Sequence, residues 1–499
     1  MNRSLRRLSI ACLALFVLLL AWVNYLQVFR VNSLANEPGN IRVFNQQFKN
    51  QRGEIIAAGG RTQQVIAESK LVKGGIYQRV YSDPLAYAPV TGYDSILGMT
   101  SPFGVTGIER AENSYLAGTS SKLAVDNLRG LFTGHSKQGA SVYLTIDPKV
   151  QAAAYAALVA MGKPAAAVAI NPTNGAILAL ASVPTFDPNQ YATLDSNQLA
   201  KADKAYRDDP NHPLVNRAIN PDVAYPPGST FKIITSSAAF STGKVANPTT
   251  TIPAPVAFPL PGSTHAVHND NFGPCADGNP QIIEALTLSC NTAFAKLGVR
   301  LGGPTLVNFA DRFGFNDPNL TIPLPVSPSV IPRNLADPAE TALSAIGQFS
   351  DAVTPLQEAM MAATVANHGV LMRPYLVQDI RAPDQQVVEN TQPTVLRQVI
   401  SSQVASYLNQ MMESVTHSQQ GTAYFTAGPP ATSIDIAGKT GTAQNGPNQS
   451  SLNDAVFTCF APASNPQIAV GVIVKGGGFG AAAAAPIAVK IIEAYLGQH

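Results

Sequence analysis

Histidine, cysteine and tryptophan are scarce in these 499 residues, at seven, four and one. No Cys-x-x-Cys occurs, so neither a zinc-ribbon nor a thioredoxin-like redox reading is open. The close pair His265 and His268 lies in a Gly/Pro/Asn-rich stretch without helical periodicity, and reads as a surface loop rather than a metal site. No motif sets a histidine beside a nucleophile. Charge is sparse too: 33 basic and 31 acidic residues make up only 13% of the chain and leave a net +2. Arg3, Arg6, Arg7 and Arg30 fall in the first thirty residues with no acid among them, so the remainder is about −2. That balance gives no basic patch for nucleic acid.

Apolar residues are plentiful, at 45%. With this length they allow more than one domain. Residues 8–29 form the one membrane candidate, interrupted only at its end by Asn24, Tyr25 and Gln27. About 20 apolar residues cross a bilayer core. Three preceding arginines put residues 1–7 in the cytoplasm and the rest outside. The rival is a cleaved signal peptide. Its apolar core is shorter, about 7–15 residues, and small residues follow at once. The run here is longer and Asn24-Tyr25-Leu26-Gln27 offers no good cleavage site, so an uncleaved anchor is the expectation.

Residues 30–139 are rich in polar residues and turns. Arg52-Gly53-Glu54-Ile55, Pro89-Val90-Thr91-Gly92-Tyr93 and Gly107-Ile108-Glu109 stand out but dictate no chemistry; Arg52 and Glu109 read as surface or salt-bridge residues. Near residue 140 the texture changes. Residues 142–146 read as a strand, Asp147-Pro148 as an N-cap with proline behind it, and 151–158 as an alanine-rich helix. Residues 165–170 and 176–181 are apolar strands around Asn174-Gly175, a strong hairpin signal. Further helices are expected at 229–241, 281–288 and 486–496, and strands at 457–460 and 468–475. Antiparallel strands with helices grouped about them give an α+β class.

The chemistry begins at Pro226-Pro227-Gly228-Ser229-Thr230-Phe231-Lys232. Pro-Pro-Gly stops a helix running backward, so one is expected to start at Ser229. Positions i and i+3 share a face, which brings the Ser229 hydroxyl and the Lys232 amine together. A serine hydroxyl needs a base in contact, and a lysine accepts a proton only when neutral. Its free pKa is about 10.4, and lowering it to around 7.5 costs roughly 4 kcal/mol. Burial and a second cation do this, and Lys439 is the candidate cation. Lys439-Thr440-Gly441-Thr442 reads as a strand. Its bare Gly441 would let a substrate backbone approach, and the hydroxyls of Thr440 and Thr442 would meet a substrate carboxylate.

Ser229-x-x-Lys232, Ser289-x-Asn291 and Lys439-Thr440-Gly441 occur in the order and spacing of the penicillin-binding proteins and class A β-lactamases, so the chain resembles that family by its motifs. The flanks Asn216-Arg217-Ala218, Gly347-Gln348 and Thr354-Pro355-Leu356, and the three short blocks of the first unit, resemble class B penicillin-binding proteins of the short actinobacterial A type. The resemblance implies a serine-type D,D-transpeptidase with an antiparallel sheet, an all-helical subdomain and a small elongated N-terminal domain. It divides the chain into a tail at 1–7, an anchor at 8–29, a non-catalytic dimerisation-like domain at 30–139 and a penicillin-binding domain at 140–499. It implies that Ser229 is acylated by a peptidoglycan stem peptide or by a β-lactam, with Lys232 as base and Ser289 as proton relay. Asn291 would hold the substrate amide, and the N–H groups of Ser229 and Thr442 would receive the oxyanion. No cofactor is implied. Cell-division or wall-synthesis proteins are the implied partners. Cys290 stands inside Ser-x-Asn where Asp or Ser is commoner.

Residues 31–139 have neither the length nor the acidic motif of a glycosyltransferase domain, which excludes a bifunctional enzyme. A β-lactamase is the enzymatic rival, but Glu340-Thr341-Ala342-Leu343-Ser344 has serine where its deacylating motif needs asparagine. A D,D-carboxypeptidase shares the same motifs, and a β-lactam-binding scaffold or sensor is the non-enzyme reading. Of the cysteines, Cys12 lies in the apolar run and the other three fall outside, where thiols oxidise. Cys275 and Cys290 are candidates for a disulfide that would tie the loop before Ser289 to the site; Cys459 is expected free and buried. The competing reading keeps all three as small core residues.

Overall fold

The structure is a computed structural model that describes residues 3–30, 48–73, 75–95, 104–123, 138–221, 225–270, 272–444 and 453–497. Helix α1 is Arg3–Phe29. Its stretch Arg6–Leu26 has a mean hydropathy of 2.2, and none of it is buried. At 1.5 Å per residue this stretch is about 30 Å long, the thickness of a bilayer's hydrocarbon. Leu13, Phe16 and Leu18 leave 66%, 69% and 66% of their surface bare. A helix apolar on every side requires an apolar surround.

The strands that matter are, in chain order, β1 (Ile55–Ala57), β2 (Gln64–Val72), β3 (Ile76–Tyr81), β4 (Ser141–Leu144), β5 (Ala165–Ile170), β6 (Ile177–Val183), β7 (Val377–Arg381), β8 (Val387–Asn390), β9 (Ala437–Ala443), β10 (Asp454–Ala461) and β11 (Ile468–Val474). They form two larger sheets. The first runs β8-β7-β4-β1-β2-β3. Its centre is β4, which lies parallel to β1 through Ile55↔Val142 and antiparallel to β7 through Val377↔Leu144. This sheet therefore draws on both sides of residue 140.

Beside it lies a buried charge cluster. Glu109 accepts from Arg52 Nε at 2.6 Å and Arg79 Nε at 2.5 Å, and from Tyr81 OH at 3.1 Å. Arg52 also donates to Asn113 Oδ1 at 2.7 Å and stands 3.5 Å from Asp94. Burial alone would raise Glu109, but Arg79 and Arg52 overcome it and hold the carboxylate below its ordinary range. Arg52 and Glu109 are thus ion-paired, and in the interior rather than on the surface.

The second sheet runs β9-β10-β11-β5-β6, antiparallel throughout. Every residue of β5, β6, β10 and β11 is buried. Helices cover both faces, which is why these strands read as unbroken apolar runs rather than alternating ones. One face carries α4 (Pro355–Ala366), itself buried along its whole length; the other carries α2 (Pro148–Met161) and α5 (Gly480–Leu496), and the turn that leads into α3 (Lys232–Ser241) lies against β9. Gly471 lets α4 lie close, since a Cβ there would sit 2.4 Å from Pro355 O and 2.5 Å from Ala359 N. Among the described residues β9 is an edge strand, paired with β10 alone. The architecture is the expected α+β one.

Several boundaries differ from the sequence reading: strand 457–460 extends to Asp454–Ala461, strand 142–146 is Ser141–Leu144, and helix 151–158 is Pro148–Met161. Gly228–Phe231 forms a 3₁₀ turn and the α-helix begins only at Lys232. The C-terminal helix starts at Gly480, and Pro486 lies inside it. A run of alanines, the best helix former, outweighs the one hydrogen bond that proline removes. Asp147 caps α2 by accepting from Lys149 N and Val150 N.

Candidate active site

The turn before α3 is held from three sides. Gly228 has φ +56, a conformation only glycine adopts without strain, and its N–H donates to Gly347 O at 2.9 Å. A Cβ on Gly228 would sit 2.9 Å from Thr442 O, and one on Gly347 would sit 2.0 Å from Gly228 O. A Cβ on Gly441 would sit 2.7 Å from Pro227 O and 3.2 Å from Thr230 Cγ2. These contacts correct one expectation. Gly441 is bare so that β9 can lie against the Ser229 turn, not so that a substrate can reach that face. Ser229 itself is half-buried, while Thr230 and Lys232 are fully buried.

Lys232 makes its hydrogen bonds around Ser289 and Asn291. Its Nζ donates to Ser289 O at 2.8 Å and Asn291 Oδ1 at 2.7 Å, and lies 3.2 Å from Ser289 Oγ and 5.6 Å from the centre of the Phe294 ring. Lys439 Nζ donates to Ser289 Oγ at 2.9 Å and Thr440 O at 2.8 Å. Ser289 Oγ therefore stands between the two ammonium nitrogens. Burial pushes Lys232 well below the ordinary lysine range, the Lys439 charge adds to the effect, and Asp270 opposes it. Burial likewise takes Lys439 down to about 7, again against Asp270. Ser289 pays for its position with φ +59, the left-handed region in which a serine is strained by about 1–2 kcal/mol.

Local sequence explains how these groups converge. Helix Ile282–Thr287 ends just before Ser289, and helix Asn291–Leu301 begins just after it. Ser289 occupies the corner between them. Asn291 Nδ2 donates to Asp270 Oδ1 at 2.9 Å and His268 O at 3.2 Å, which turns its oxygen toward Lys232. Asn269 Oδ1 accepts from Thr292 N at 3.1 Å and fastens the same loop to the helix start. Cys275 and Cys290 are joined as a disulfide with Cα atoms 5.8 Å apart, which ties this loop to the corner a third time. Cys459 is free and buried, and Cys12 is free and exposed on α1. His268 ends a small hairpin strand, Ala266–His268.

Thr440 shares a hydrogen bond with Thr422, Oγ1 to Oγ1 at 2.7 Å, and Thr442 follows it, half-buried, on the edge strand. The structure thus gathers Ser229, Lys232, Ser289, Asn291, Lys439, Thr440, Gly441 and Thr442 about one corner of the second sheet. It adds Asp270, Asn269, Thr422 and Glu358, none of which the motifs named. Glu340 lies in the first turn of helix Pro338–Ser344.

The neighbours of this arrangement among known proteins are close. Residues 165–493 match the penicillin binding protein transpeptidase domain, and residues 52–142 the penicillin binding protein A dimerisation domain. The chain is 42% identical over 510 residues to the peptidoglycan D,D-transpeptidase PbpA of Mycolicibacterium smegmatis, covering 99% of each chain. It is 39% identical over 507 residues to the protein of that name from Mycobacterium tuberculosis, again over 99% of each. The ceftriaxone acyl-enzyme of M. tuberculosis penicillin-binding protein A matches with TM-score 0.83 at 38% identity, over 91% of this chain and 100% of that one. The penicillin G acyl-enzyme of the same protein matches with TM-score 0.82 at 39% identity, over 90% and 100%. Two domains in that order, and likeness sustained from end to end, place this chain in the penicillin-binding protein transpeptidase family, among its class B members.

Proposed function

We propose that this protein is a peptidoglycan D,D-transpeptidase in which Ser229 forms the acyl-enzyme. One observation carries the assignment of roles: two buried lysines, both below the ordinary lysine range, share the hydroxyl of Ser289 behind the Ser229 turn. A neutral lysine amine has two N–H donors and one lone pair. Lys232 has two carbonyl-type acceptors at 2.8 and 2.7 Å, Ser289 O and Asn291 Oδ1. Spending both N–H groups there leaves its lone pair free for a hydroxyl proton.

Ser229 Oγ then attacks the carbonyl carbon of the penultimate D-alanine while its proton passes to Lys232. The oxyanion is received by the N–H groups of Ser229 and Thr442, each worth about 3–4 kcal/mol to a transition state. The C–N bond breaks, and a proton returns through Ser289 to the departing D-alanine amine. An acceptor amine from a second stem peptide reverses the sequence and closes the cross-link. Lys439, with the hydroxyls of Thr440 and Thr442, presents a cationic and hydrogen-bonding edge to the substrate carboxylate. A β-lactam follows the same first step and stays bound, because Glu340-Thr341-Ala342-Leu343-Ser344 lacks the asparagine of the deacylating motif.

The same reading makes α1 a single-pass anchor, with residues 1–7 in the cytoplasm and the catalytic unit outside, and assigns the enzyme to septal or division wall synthesis with partners from that machinery. The test is mass spectrometry after penicillin, and then after a D-Ala-D-Ala thioester with a D-amino-acid acceptor. Acylation at Ser229 that lasts many minutes, absent from Ser229→Ala, and an exchanged product with the acceptor are expected. Labelling of Ser289, rapid penicillin hydrolysis, or hydrolysis of the thioester without exchange overturns the reading.

A further inference from the structure

Glu358 belongs to none of the three motifs, yet it lies directly beneath the Ser229 turn. It projects from α4, is 0% exposed, and its Oε2 is buried without a hydrogen-bond partner. The Thr230 hydroxyl lies 2.8 Å from Pro227 O and 2.7 Å from Glu358 Oε1. A hydroxyl carries one proton, so it can donate to only one of these oxygens. With an ionised Glu358, the other contact would set two bare acceptors against each other. With a protonated Glu358 both contacts are satisfied: the Oε1 hydroxyl donates to Thr230 Oγ1, Thr230 donates to Pro227 O, and the unpartnered Oε2 is left as an uncharged carbonyl oxygen. Burial pushes Glu358 up to about 8, which agrees with this count. Among the described residues no cation is paired with it. The groups recorded facing it are Thr230 on the turn, Thr458 on β10, whose hydroxyl donates to Glu358 O at 2.6 Å, and the bare Gly471 on β11; none titrates.

We propose that Glu358 is a positioning residue: a neutral carboxylic acid that acts through Thr230 to fix the Pro227 carbonyl and, with it, the seat of the Ser229 turn on β9. The proposal rests on the reading of Ser229 as the acylated serine. Its leverage comes from where β9 rests. The nearest atoms to a Cβ on Gly441 include Pro227 O at 2.7 Å and Thr230 Cγ2 at 3.2 Å, so the two groups that Glu358 holds are the surface beneath the edge strand. Their position sets the gap between the Ser229 and Thr442 N–H groups. Small changes in such a gap are costly to a reaction that depends on preorganised donors.

The test compares second-order penicillin acylation rates of the full chain and of Glu358→Gln and Glu358→Leu from pH 6 to 10, with thermal melts alongside. Glutamine keeps a neutral donor and cannot ionise; leucine keeps the bulk and loses the donor. Glu358→Gln should acylate within about twofold of the unmodified protein at pH 7 and should hold its rate above pH 8, where the unmodified protein declines. Glu358→Leu should acylate about tenfold more slowly than Glu358→Gln at every pH, the upper range for one hydrogen bond, while melting at a similar temperature. Equal rates for glutamine and leucine overturn the proposal. Should the leucine variant fail to fold, the alkaline limb decides alone: Glu358→Gln falling above pH 8 as the unmodified protein does overturns it. If the unmodified protein is not acylated at Ser229 at all, it is the assignment of the nucleophile that has failed.

Discussion

Ser289 receives Lys439 at 2.9 Å and lies 3.2 Å from Lys232, and that sharing couples the two cations. Removing one changes the other. In Lys439→Met the neighbouring charge is gone, so Lys232 keeps its proton to higher pH. The rise of acylation with pH should therefore move upward in a stopped-flow profile; an unmoved rise would show that Lys439 does not depress Lys232. Arginine separates the roles further. A guanidinium does not deprotonate in a protein, so Lys232→Arg should acylate as poorly as Lys232→Ala, whereas Lys439→Arg should keep part of what Lys439→Ala loses. Equal tolerance at both positions would refute the division. The motifs made Ser229, Lys232, Ser289, Asn291 and Lys439 visible in the sequence because each is tied to a local pattern. Asp270, Thr422 and Glu358 were invisible for the opposite reason. Nothing beside them in the chain marks them, and their partners lie 21, 18 and 128 positions away.

At the scale of elements, unbroken apolar runs and turn signals revealed β5, β6, β10 and β11, because helices on both faces bury every residue of these strands. The sequence could not show which way Gly441 faces, since both faces of β9 are in use. Its inward contact gives a sharp expectation. Gly441→Ala puts a methyl 2.7 Å from Pro227 O, so the edge strand must shift. Penicillin acylation should fall by at least tenfold with little change in melting temperature; an alanine variant that acylates normally would mean that the spacing between β9 and the turn is not critical. The loop fastened by Cys275 and Cys290 closes 15 positions. In the chain-entropy model such a closure contributes about 3 kcal/mol. Cys275→Ala should lower denaturant stability by roughly that amount and also slow acylation, because the loop carries Asp270 and Asn269. Unchanged denaturation would indicate that the loop is held by its hydrogen bonds alone. Beside the first sheet, Glu109→Ala strands Arg52 and Arg79 without their shared carboxylate. Losing one partner of a buried ion pair costs about 3–5 kcal/mol, so the melt should drop markedly while Ser229 in the folded fraction still acylates.

On the scale of the whole molecule, the α+β class and the apolar N-terminal helix were legible from patterning alone. The joint between the units was not. Residue 140 looks like a boundary in composition, yet β4 sits between β1 and β7, and β7 comes from far downstream. Pairing over such distances is set by tertiary fit and leaves no mark in local sequence. It has a consequence for how the protein is born. A chain made from its N-terminus presents β1 to β4 long before Val377 emerges, so one side of β4 waits unpaired while most of the second sheet is still being synthesised. Closing that gap ties two distant parts of the chain together late, at an entropic cost that grows with the length between them. Until then the bare strand is a template for other chains. A fragment ending near residue 145 should self-associate in sedimentation, and an added peptide spanning about 375–391 should suppress this; a fragment that stays monomeric by itself would show that the first four strands need no late partner.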